Sequence, residues 1–175
     1  RFRHELNSNG KFASGDIVPY VKDAYLKWTY TDSQQLTLGI QPSLTFDWFE
    51  GNLWGLRHIE KTPGDLYKLD SSRDFALSTS GPTPIDGLRY AVQFGNESGN
   101  NAETDRFKAY RGSVRYEKNP GLIVEGFASM FNRASDADRI TAQIFAGYRQ
   151  PRWRAGGQYT WPSRKPAGRA GGGGR

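Results

Sequence analysis

The sequence predicts an all-β fold: an antiparallel up-and-down transmembrane β-barrel, with about eight strands present. Three observations predict it. Apolar and polar residues alternate with a period of two along segment after segment. Many of these segments reach the ten or so residues that a tilted strand needs to cross a bilayer. The connections between them alternate short and long. A barrel strand turns only every second residue to lipid, so a low overall hydrophobicity is compatible with membrane insertion. Of 175 residues, 36% are hydrophobic and 14% aromatic. That is too aromatic for a typical disordered chain, and no apolar run approaches the 18 residues of a transmembrane helix.

The elements follow in order. Arg1 to Leu6 places Phe2, His4 and Leu6 on one side and reads as the end of an earlier strand. Over 20–31, Ala24, Leu26, Trp28 and Tyr30 share a face, with Lys27 and Thr29 opposite. Over 34–42 the apolar set is Leu36, Leu38 and Ile40. A short strand is predicted over 73–80. Over 87–96, Leu88, Tyr90, Val92 and Phe94 alternate with Arg89, Ala91, Gln93 and Gly95. Over 107–117, Tyr110, Gly112, Val114 and Tyr116 alternate with Arg111, Ser113, Arg115 and Glu117. The segment 121–131 is apolar on both faces. Over 138–149, Ile140, Ala142, Ile144, Ala146 and Tyr148 oppose Thr141, Gln143, Phe145 and Gly147; over 152–161, Trp153, Ala155, Gly157 and Tyr159 oppose Arg154, Gly156 and Gln158.

Short connections centre on Asp32-Ser33, on Pro82 to Asp86, on Lys118-Asn119-Pro120 and on Gln150-Pro151; the longer ones are Ser43 to Ser72, Glu97 to Arg106 and Asn132 to Ala137. In an up-and-down barrel each side of the membrane receives every second connection, so one topology accounts for both regularities. The chain divides into a barrel segment over 1–161, with a long loop inserted at 43–72, and a Gly/Arg-rich tail over 162–175 that reads as disordered. Ten aromatics (Tyr25, Trp28, Tyr30, Tyr90, Tyr110, Tyr116, Tyr148, Trp153, Tyr159 and Trp161) are candidates for interfacial girdles.

The formal charge is +6. Arg164, Lys165, Arg169 and Arg175 in the tail account for most of it, since without the tail 20 basic residues face 18 acidic ones. A nucleic-acid footprint across the body is therefore not implied. With no cysteine, thiol catalysis and cysteine metal sites are excluded.

If one face meets lipid, the charged residues of the other line a lumen. The candidates are Lys27, Arg89, Arg111, Arg115, Glu117, Glu125 and Arg154. Five cations against two anions would concentrate anions. The 43–72 loop is rich in Trp, Phe and Leu, which argues for inward folding and a constriction carried by Glu50, Arg57, His58, Glu60, Lys61 and Asp65. Leu53, Leu56, Arg57, Glu60 and Lys61 sit at helical spacings, and Thr62-Pro63 marks the start of a further turn through Asp65 and Leu66. Glu50 and Glu60 could in principle bracket a glycosidic bond, but as many acids occur by chance in most loops. With two histidines in the chain and neither an H-E-x-x-H nor a G-x-S-x-G motif, ion pairing accounts for the loop more simply than catalysis. No enzyme, cofactor or metal is expected, although divalent-ion binding by the acidic 96–105 loop is a competing reading.

The run Ala24-Tyr25-Leu26-Lys27-Trp28-Thr29-Tyr30, followed by Leu36-Thr37-Leu38-Gly39-Ile40-Gln41-Pro42, resembles bacterial outer-membrane porins of the phosphate-selective and related general type. So do Ile59-Glu60-Lys61-Thr62-Pro63, Asp70-Ser71-Ser72-Arg73-Asp74-Phe75 and Leu88 to Asn96. The resemblance covers roughly residues 1–160. It implies passive diffusion of small hydrophilic solutes through a barrel of about sixteen strands, in contact with outer-membrane lipid and often trimeric. It also implies an inward-folded loop at the constriction. Against that family the chain is about half the usual length and lacks the closing strand with a terminal aromatic, so it reads as a fragment. Two alternatives stay open: a small plugged membrane barrel with a structural or adhesion role, and a soluble β-sandwich that binds carbohydrate.

Overall fold

The computed structural model describes residues 2–7, 18–44, 48–55, 59–67, 69–99, 101, 103–104, 106–118, 121–132 and 138–164. Among the described residues there are nine strands: β1 (Phe2–Asn7), β2 (Val18–Thr29), β3 (Gln35–Pro42), β4 (Arg73–Pro82), β5 (Leu88–Gly95), β6 (Ala109–Lys118), β7 (Leu122–Phe131), β8 (Arg139–Arg149) and β9 (Arg154–Arg164). They form one sheet in sequence order, each antiparallel to the next, and among the described residues the sheet is open, with β1 and β9 as its edges. All eight predicted strands are found within a few residues of their expected bounds, and the segment read as the end of an earlier strand is β1. No helix among the described residues is long and apolar enough to cross a membrane.

One boundary is corrected. β9 runs through Pro162 and Ser163 to Arg164, residues assigned above to a disordered tail. Pro162 pairs with Thr141; a proline is tolerated there because one side of β9 has no neighbour among the described residues. Residues 165–175 lie outside the described residues.

Register aligns the alternating residues into continuous rows. One row runs Leu26, Leu38, Leu77, Phe94, Tyr110, Met130 and Ile140 across seven strands. These side chains are 38–74% exposed. The adjacent row, Trp28, Leu36, Thr79, Val92, Gly112, Ala128, Ala142 and Trp161, spans eight strands. Neither row holds a charge. Leu88, Tyr90, Val92 and Phe94, whose sealing in a core would have removed any membrane reading, lie on this outward face, with Val92 and Phe94 exposed. Trp28, Tyr30, Tyr90, Tyr116, Tyr148 and Trp153 gather near the short turns; Trp28 and Tyr30 lie 5.8 Å apart, and Tyr148 stacks on Trp153 at 5.6 Å. Tyr25 is on the opposite face and leaves the expected girdle set.

The short turns are closed by backbone hydrogen bonds such as Tyr30 N–H to Gln34 C=O at 3.1 Å and Gln150 N–H to Trp153 C=O at 2.9 Å. Close approach of β2 and β3 requires glycine at Gly39, where φ is 127° and a Cβ would collide with the Ala24 carbonyl.

The 43–72 segment leaves and rejoins the sheet at one point. The Ser43 N–H donates to the Ser72 carbonyl at 3.3 Å, and the Ser43 hydroxyl donates to the Ser71 carbonyl. From that neck it folds over the polar face, as its aromatic content predicted. Phe49 packs with Ile123 and Phe145 in the buried core, flanked by Trp48 and Trp54. Of the residues read at helical spacings, Leu56 and Arg57 lie outside the described residues. A π-helical turn covers Phe49–Trp54 and stops at Gly55, whose φ of 58° ends the winding. A single α-turn over Pro63–Leu66 follows Thr62, as its Thr-Pro start predicted.

Candidate functional site

The seven residues read as lining a lumen all belong to the polar face, and it holds them in two different settings. The alternation of β5 and β6 places Arg89, Arg111 and Arg115 on one side, and the β5–β6 register sets Arg89 directly opposite Arg115. The β6–β7 register then sets Arg115 opposite Glu125.

The first setting is the dock under the folded segment. Arg111 is 2% exposed. Its guanidinium donates to both oxygens of Asp70 at 2.8–3.0 Å and to Asp74 at 2.9 Å, and it lies 5.2 Å from the Phe131 ring. Asp70 belongs to the segment and Asp74 to β4, so one cation ties segment to wall. Burial pushes the Asp70 carboxyl up from the ordinary aspartate range, against the opposing pull of Arg111. Beside the neck, Arg73 donates to Asp23 at 2.6 Å. Deeper in, the Thr62 hydroxyl donates to the buried Glu50 at 2.8 Å, and Phe49 meets Phe145 edge-on at 4.9 Å. Trp48 lies beneath the Arg115 guanidinium, 3.3 Å from its carbon, while Arg115 pairs with Glu117 at 2.6 Å. Glu125 is 1% exposed. Arg154 of β9 donates to the Trp54 carbonyl at 3.5 Å.

The second setting is a bay left uncovered between β2 and β6. It is a cavity of about 250 Å³ whose lining includes Tyr25, Lys27, Thr37, Ser80, Arg89 and Ser113, with Trp48 and Arg115 at its border with the dock. One wall is fixed by Gln41, which donates to the Ala76 carbonyl at 2.7 Å and accepts from the Ser78 hydroxyl at 2.7 Å. Lys27 and Arg89 are exposed.

The four described members of the predicted constriction set each hold a local partner. Glu50 is buried in the dock. Glu60 caps the Lys61 N–H at 2.8 Å, and Lys61 faces Asp65 at 4.0 Å. Arg57 and His58 lie outside the described residues. Among the described residues no group of His, Asp and Glu has the geometry to hold a metal ion.

Sequence reasoning missed Asp70, Asp74, Trp48 and Phe49 as anchors, and Thr37, Ser80 and Ser113 as the bay's floor. A signal for the dock was present: Ile123, Phe127 and Phe131 on β7 and Phe145 on β8 are apolar on a face that is otherwise polar, and this is where the segment lands. Hydroxyls on a polar strand face carry no comparable signal. No protein-family model, curated protein or solved structure matches the chain.

Proposed function

We propose that this chain forms part of the wall of a bacterial outer-membrane channel of porin type, passing small hydrophilic solutes by passive diffusion with a preference for anions. The observation that carries the reading is the pair of uncharged, outward rows that cross seven and eight strands. Burying a Leu, Val or Phe side chain is worth about 1.5–3 kcal/mol, and a continuous apolar surface of this kind is rare on a soluble monomer. Lipid removes that cost along both rows at once. The Trp and Tyr cluster at the short-turn end suits the bilayer interface. Strand edges cannot face hydrocarbon, where each unpaired amide costs several kcal/mol, so further strands complete the ring, and a trimer is the assembly the resemblance suggests. On the water side the field of Lys27 and Arg89 favours anions.

Two measurements test it. The protein is folded into phospholipid vesicles as single-tryptophan variants. Brominated lipid should quench Trp28 or Trp161 at least twofold and leave Trp48 bright. Equal quenching of all three, or none, overturns lipid contact and favours a soluble sandwich. In planar bilayers, the closed barrel that this chain helps to form should give stepwise conductance with an anion-selective reversal potential. Lipid quenching without conductance steps points instead to a plugged barrel.

A further inference from the structure

Resting on the channel reading, we propose that the bay between β2 and β6 binds a hydroxylated carboxylic acid of monosaccharide size, that is, a sugar acid. The charge comes first. Among the described residues neither Lys27 nor Arg89 has a carboxylate partner, whereas Arg111 and Arg115 are both paired. Arg89 stands opposite Arg115 across the β5–β6 pair, an arrangement of like charges that disfavours the sheet. An anion seated beside Arg89 offsets that repulsion.

The floor then selects the anion. Thr37, Ser80 and Ser113 line the bay, and their hydroxyls have no protein partner among the described residues. A hydroxyl offers one donor and two acceptor lone pairs. A bare inorganic anion uses donors and leaves most of the acceptors idle. A ligand with hydroxyls of its own uses both. Two cations and three hydroxyls in one bay therefore describe a solute that is both charged and polyhydroxylated. The volume agrees: about 250 Å³ falls just below the range of roughly 300–1,000 Å³ typical for drug-sized ligands. It is also several times the ~30 Å³ that one water occupies in the liquid. Tyr25 also lines the bay.

The test is calorimetric titration of the closed barrel that this chain helps to form, held in detergent micelles, with glucuronate, glucose and inorganic phosphate. Glucuronate should bind at least tenfold more tightly than either of the others. Arg89→Gln should weaken it tenfold or more. Ser80→Ala combined with Ser113→Ala should weaken glucuronate severalfold and leave phosphate unchanged. All three substituted side chains line the bay rather than the dock, so these variants should keep the wild-type fold, checked by circular dichroism. The proposal is overturned if phosphate equals or exceeds glucuronate, if glucose matches it, if Arg89→Gln is silent, or if glucuronate does not bind. Conductance recorded on the same preparation separates the two readings: ion steps without glucuronate binding remove the bay and keep the channel, and glucuronate binding without ion steps does the reverse.

Discussion

Arg111 and Arg89 stand on the same face of the sheet, on neighbouring strands, and live in opposite surroundings. Arg111 is sealed beneath the folded segment between Asp70 and Asp74, while Arg89 is exposed in the bay. Strand periodicity treats them alike. The difference is made by what the 43–72 segment covers. Under it, Arg111 is held between two carboxylates and serves as a clamp; beyond it, Arg89 is left open to solvent. One polar face is thus divided into a covered half and an open half, and the boundary runs along Arg115, held by Trp48 on one side and bordering the bay on the other.

The comparison can be broken at its strongest point first. Arg111→Met leaves Asp70 and Asp74 buried without their cation, and breaking a buried pair from one side costs roughly 3–5 kcal/mol. The expected result is a matching loss in urea unfolding monitored in micelles, with protease cleavage appearing in the 43–72 segment before the strands open. Native-like stability would mean that Arg111 is no clamp. Phe49→Ala removes the apolar half of the same dock. Since Phe49 is 1% exposed, a loss of about 3 kcal/mol is expected, again with the segment released first. Arg89→Gln should give the smallest stability change, within about 0.5 kcal/mol, yet it should move the reversal potential toward cations. A large stability loss with no change in selectivity would place Arg89 on the structural side and erase the distinction.

How far the sequence reached follows the same line. Strand number, order and facing were legible because a period of two is local, and a slip of one residue would reverse every face. The turn at Thr62-Pro63 was legible because proline fixes its own φ. The Arg111 clamp was not: its partners stand 41 and 37 positions away in the chain, and nothing in either neighbourhood selects Asp70 and Asp74 over the other acids. The π-helical turn over Phe49–Trp54 was not legible because its end is set by the left-handed φ of Gly55 rather than by apolar spacing. β9 was ended too early because Pro162 reads as a strand breaker unless it is known to sit on a sheet edge.

The neck at Ser43 and Ser72 has a consequence for how such a wall can vary. Both ends of the segment are pinned where β3 and β4 already lie side by side, so its length is not set by any distance it must bridge. Closing a flexible loop costs only about 0.6 kcal/mol more for each doubling of its length. Residues can therefore be added or removed between Gly55 and Thr62, away from Phe49 and Asp70, without altering the register of a single strand pair. The folded segment and the sheet that carries it are separately adjustable parts.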